Sequence, residues 1–133
     1  MKAGRSMLAL SMLLTACVEP STRVRAQSPA ALAASAEVAE QVRRCYRAPR
    51  VPPAGRGIVI RLLVRYGPDG ILVGLPVLVA QQGLIPESRP YAARMTEAAR
   101  LAIIRCSPVR LPAELSKRRW TDFYLTFSPG RRA

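Results

Sequence analysis

The chain has 133 residues, half of them apolar, which is enough for one compact domain and too little for two. Its 21 Lys and Arg residues against 8 Asp and Glu give a formal net charge of +13, which favours anionic partners. The complete absence of histidine excludes Ser-His-Asp and Cys-His catalysis. Aromatic residues do not interleave with the arginines along the chain, so no nucleic-acid partner is expected.

The N-terminal stretch MKAGRSMLALSMLLTAC carries Lys2 and Arg5 ahead of an apolar run from Met7 to Ala16. That run is too short to cross a bilayer, which takes roughly 20 apolar residues, and has the flanks of an export signal. It ends in Leu14-Thr15-Ala16-Cys17, a pattern resembling a bacterial lipobox, so residues 1–16 are expected to be removed and Cys17 lipidated. The alternative is cleavage after Ala26 to a soluble periplasmic form. Either route delivers the chain to an oxidising compartment, where Cys45 and Cys106 form the remaining even pair and are expected to be disulfide-bonded. Residues 17–32, rich in Pro, Ser and small side chains, read as a flexible tether.

A helix is expected from about Ala31 to Cys45, with Ala31, Ala34, Val38, Val42 and Cys45 on its apolar stripe and Arg43 and Arg44 complementing its C-terminal dipole. Prolines in RAPRVPPAGRG forbid its continuation. Ile58 to Tyr66 alternates as a strand, with Ile58, Ile60, Leu62, Val64 and Tyr66 inward and Arg61 and Arg65 outward. Gly67-Pro68-Asp69-Gly70 forms a turn, in which Asp69 shapes the backbone, and a second strand runs back from Ile71 to Ala80. A second helix is expected from Tyr91 to Cys106, on a stripe of Met95, Ala99, Ala102, Ile103 and Cys106. A final strand spans Trp120 to Phe127. The order helix, strand, strand, helix, strand predicts an α+β domain over residues 33–130, a three-stranded antiparallel sheet covered by two helices, with 131–133 as a basic tail.

Pro76 falls inside the expected second strand and cannot donate to a ladder, so that strand belongs at an edge. The sheet order is then 2-1-3, a split β-α-β arrangement with a right-handed crossover. Trp120, Thr121, Asp122, Phe123, Tyr124, Leu125, Thr126 and Phe127 form the opposite edge, free of proline and open to pairing. A basic surface is expected from Arg43, Arg44, Arg47 and Arg50, and another from Lys117, Arg118 and Arg119.

The element order, the Val64-Arg65-Tyr66-Gly67-Pro68-Asp69-Gly70 hairpin, the Arg105-Cys106-Ser107-Pro108 segment and the closing WTDFYLTFSP together resemble the C-terminal domain of TolA, within the TonB/TolA C-terminal superfamily. The resemblance implies a periplasmic interaction module that pairs a partner's strand with a sheet edge. The implied partner is a periplasmic or outer-membrane protein of a Tol–Pal-like or TonB-dependent system, and the membrane is met only through the lipid anchor. The inner-membrane helix and long linker of that family have no counterpart in this sequence. No cofactor or metal ligand set is expected, because the acidic residues form no acid/base pair and no cluster has metal-ligand spacing. The alternative reading is an Arg-rich lipoprotein that binds lipopolysaccharide or another anionic envelope polymer.

Overall fold

The computed structural model describes residues 28–129. Cys17, the expected signal, most of the expected tether and the 131–133 tail lie outside the described residues. Helix α1 spans Pro29–Cys45, strand β1 Val59–Tyr66, strand β2 Val77–Gln82, helix α2 Arg89–Arg105 and strand β3 Thr121–Phe127. Short 3-10 turns occupy Pro53–Gly55 and Ala113–Lys117.

Helix α1 starts two residues before its expected Ala31, inside the segment assigned to the tether. Ser28 supplies the cap: its Oγ accepts a hydrogen bond from the Ala31 N–H at 3.2 Å, and Pro29 occupies the first turn, where a missing N–H costs nothing. The helix buries Ala34, Val38 and Val42, while Ala31 is exposed. Helix α2 also begins two residues earlier than expected, and its buried face adds Ala92 and Thr96 to the predicted stripe. The Thr96 hydroxyl is satisfied within the helix by donating to the Ala92 carbonyl at 3.0 Å.

The sheet is three-stranded with the order β2-β1-β3, and both pairings are antiparallel. Ile58, Ile60, Leu62, Val64 and Tyr66 are completely buried, as their alternation requires. With Phe123, Leu125 and Phe127 from β3 they pack against Val38, Val42, Met95, Ala99, Ala102 and Ile103 from the helices, forming one core. Both helices therefore cover the same face of the sheet, and the opposite face stays open.

Two expectations about the hairpin are corrected. The second strand does not run from Ile71 to Ala80 but from Val77 to Gln82, and Pro76 precedes the ladder as a buried residue. After an isolated bridge between Tyr66 and Leu72, the returning chain has four residues to cover the span of two on β1 before Val77 meets Leu63. Val73 still bonds to the Arg65 carbonyl, and the excess loops out through Gly74 and Leu75. Within β2 the register slips between Arg61 and Leu62, leaving Val79 as a bulge. The edge position of β2 therefore does not depend on a proline within it.

The turn itself follows the expected chemistry. Gly70 N–H bonds to the Gly67 carbonyl at 2.9 Å, and Asp69 Oδ1 accepts from the Ile71 N–H at 3.1 Å. Gly70 has φ +76°, a side chain there would strike the Val109 carbonyl, and the Gly70 carbonyl accepts a hydrogen bond from the Val109 N–H at 2.9 Å. That contact ties the hairpin to the segment following α2.

Cys45 and Cys106 form a disulfide, with their Cα atoms 5.9 Å apart. It joins the C-terminal ends of α1 and α2. Tyr46, the next residue after α1, lays its ring 5.1 Å from that of Phe127 and donates its hydroxyl to the Ser128 carbonyl. The end of α1 is thus fastened both to α2 and to the end of β3. No helix among the described residues is long and apolar enough to cross a membrane.

Candidate functional site

Strand β3 lies at an edge, paired with β1 on one side only. Which of its backbone groups remain unpaired follows from the hairpin. Val73 N–H donates to the Arg65 carbonyl and Gly67 N–H to the Ile71 carbonyl, so odd-numbered residues of this part of β1 aim their backbone at the β2 side. The even-numbered Ile60, Leu62, Val64 and Tyr66 then exchange hydrogen bonds with β3, where the register places Phe127, Leu125, Phe123 and Thr121 opposite them. The N–H and C=O groups of Asp122, Tyr124 and Thr126 consequently point away from the sheet. This is a regular, unbulged edge with three successive pairing positions.

The same three residues are exposed, while Phe123, Leu125 and Phe127 are buried beneath them. The expected edge residues thus divide into a core-facing set that fixes the strand and an outward set that is available. Thr121 is half-buried, and its Oγ1, like the neighbouring Tyr66 hydroxyl, is buried with no hydrogen-bond partner. Burial pushes the Tyr66 hydroxyl pKa up to about 12, which keeps it neutral.

Charge on the open sheet face is ordered around β3. Arg65 forms a two-pronged ion pair with Asp122, at 2.7 Å from Nε to Oδ1 and 2.9 Å from Nη2 to Oδ2. The hydrogen bonds from Arg65 hold the Asp122 carboxyl below its usual range. Arg61 lies over the Tyr124 ring at 4.7 Å, while Arg65 and Arg119 approach the Trp120 ring at 4.9 and 5.0 Å. Arg61 and Arg65, distant in the linear chain from Tyr124 and Trp120, are therefore brought beside them across the strands. The grounds for excluding such interleaving do not survive folding. The available signal was the position of Arg61 and Arg65 on the outward side of β1, but their aromatic partners lie some sixty residues away.

The two expected basic surfaces fare differently. Arg43 and Arg44 are exposed on the last turn of α1, but both share Glu40 as an ion-pair partner, at 2.8 and 3.9 Å. The Arg43 hydrogen bond lowers the Glu40 pKa. Arg47 and Arg50 are exposed in the extended segment beyond the helix. Lys117 closes the 3-10 turn, and Arg118 and Arg119 lead into β3, all three exposed. A groove of about 540 Å³ lies on the helical side, lined by Glu37, Glu40, Gln41, Arg44, Arg110 and Leu111 among others. Gln41 bridges it, accepting from Arg110 N–H at 2.7 Å and donating to the Arg110 carbonyl at 2.9 Å. These bonds fasten α1 to the segment after α2. Among the described residues no group of three or more His, Cys, Asp or Glu side chains could hold a metal.

Neither a family model, nor a curated protein, nor a solved structure matches the chain.

Proposed function

We propose that this chain is a non-enzymatic interaction module of the Gram-negative cell envelope that captures an extended segment of a partner protein on the free edge of β3. The observation that carries this reading is the row of outward N–H and C=O groups at Asp122, Tyr124 and Thr126, on a strand held in regular register by β1 and by three buried side chains. An unbulged edge of this kind pairs readily with another strand. The TolA-like resemblance adds the nature of the partner, a periplasmic or outer-membrane component of a Tol–Pal-like or TonB-dependent system. The export signal and the lipobox-like Cys17 add the location, the periplasmic side of the envelope. The polyanion reading is the weaker one, because Glu40 already engages two of the arginines it would use.

The test is photocrosslinking from Tyr124 in intact envelopes, with Cys45 and Cys106 unchanged, combined with proline substitution. Thr126→Pro removes an outward N–H and leaves the β1 ladder intact, so it should abolish capture without unfolding the domain. Leu125→Pro breaks the ladder and serves as the unfolded control. Capture from position 124 that persists in the Thr126→Pro protein refutes strand addition. Capture that collapses steeply with moderate salt, irrespective of proline, supports the polyanion reading instead.

A further inference from the structure

The open face of the sheet has a composition that strand pairing at its edge does not use. Leu63 is paired with Val77 on one side and with Tyr124 on the other, so all three share the face that the helices leave uncovered. Val73, bonded to Arg65, continues the same face toward the turn. Val73 is 48% exposed, Val77 55%, Tyr124 49% and Trp120 41%, and Leu75 at the tip of the looped-out segment is 78% exposed. Arg61 and Arg119 stand among these side chains with no carboxylate partner among the described residues, since Asp122 is taken by Arg65.

We propose that this face lies against an anionic phospholipid bilayer. Three observations select that occupant. The surface is the side of the three-stranded sheet that neither helix covers, so its side chains meet whatever lies outside the domain. Its chemistry combines what an interface demands: exposed Val73 and Val77 for the acyl boundary, amphipathic Trp120 and Tyr124, and the guanidinium groups of Arg61 and Arg119, without carboxylate partners among the described residues, to meet phosphates. Finally, the sequence places the expected lipid attachment at Cys17, close ahead of Ser28. An extended connection of that length reaches roughly 40 Å at most, so a domain so anchored stays beside the membrane and meets it at high effective concentration. This last point rests on the lipoprotein reading, whereas the first two stand without it.

Trp120 is the only tryptophan of the chain, which makes its fluorescence a direct probe of the face. The full chain is mixed with vesicles of brominated phosphatidylcholine, with and without phosphatidylglycerol, and quenching of Trp120 is measured. The leader acts alike in every variant, and the readout is contact of one ring with lipid, independent of recovery with the vesicle. Quenching should appear with phosphatidylglycerol and be several-fold weaker without it. It should be lost in Val73→Asp/Val77→Asp and in Arg61→Glu/Arg119→Glu, substitutions at exposed positions that leave the circular dichroism unchanged. Thr126→Pro should preserve it, which separates this contact from strand addition. Three results each overturn the proposal: no quenching in phosphatidylglycerol vesicles, equal quenching in the valine variant, or a concentration-dependent blue shift of Trp120 without vesicles. The last would show a second copy of the chain covering the face.

Discussion

Breaking the Cys45–Cys106 bond is expected to destabilise the domain more than any single surface change. The cross-link spans a sequence separation of 61 residues. In the chain-entropy treatment, closing a loop of that size removes about 14 cal/mol/K from the unfolded ensemble, or about 4 kcal/mol at room temperature. For a domain near 100 residues, where 1 kcal/mol moves the melting temperature by about 5 °C, the loss should lower it by roughly 20 °C. Both sulfurs sit at the margin of the core, so Cys45→Ala/Cys106→Ala also removes some packing. Reduction leaves the side chains in place and isolates the cross-link. The assay is thermal and urea unfolding of the oxidised protein, the reduced protein and the double variant. A fall of only a few degrees on reduction would refute the entropic argument. It would mean that the helix ends loosen in the native state once the bond is reduced, despite Tyr46, Phe127 and Gln41, or that the unfolded chain is restricted by other means.

Gly70→Ala meets both an unfavourable φ of +76° and the Val109 carbonyl, so it should cost more than about 1 kcal/mol; equilibrium unfolding that leaves stability unchanged would contradict the turn geometry. Tyr66→Phe deletes a buried hydroxyl without a hydrogen-bond partner while keeping the ring that lies 6.1 Å from Phe123. Its stability should be unchanged or higher by up to about 1 kcal/mol, as calorimetry can determine. Asp122 has a depressed pKa, so its ion pair with Arg65 contributes above the unfolded carboxylate value near 3.8 and loses that contribution as pH falls through the lower folded value. Both side chains are more than a third exposed, which limits the effect to less than about 1 kcal/mol. The stability gap between wild type and Asp122→Asn should therefore be flat from pH 5 to 8 and close below pH 4, as urea titrations across pH can show.

The helices and β1 were legible because burial imposes a period on their residues: Val38 and Val42 one turn apart, or Ile60, Leu62 and Val64 at alternate positions. The strand order was legible as well, although the proline used to argue it stands outside the ladder. The run Ile71 to Ala80 has the β-branched composition of a continuous strand. What composition cannot express is length matching, and the surplus of residues opposite β1 forces Gly74 and Leu75 out of the ladder. Trp120 and Tyr124 illustrate a second limit. Apart from Arg119 beside Trp120, their guanidinium partners come from β1, and only the β1–β3 register brings Arg61 to Tyr124 and Arg65 toward Trp120.

The disulfide also divides the chain topologically. Residues 45 to 106 form a covalent ring that contains β1, β2 and α2, whereas β3 lies beyond it on a connecting segment. A cut inside the ring leaves every piece covalently joined, but a cut between Cys106 and Thr121 removes the one covalent link between β3 and the rest of the domain. Of the three strands, only β3 can be withdrawn from the sheet and exchanged with that of another copy without threading a closed loop. The strand whose edge is offered to a partner is therefore also the one held in place by noncovalent packing alone.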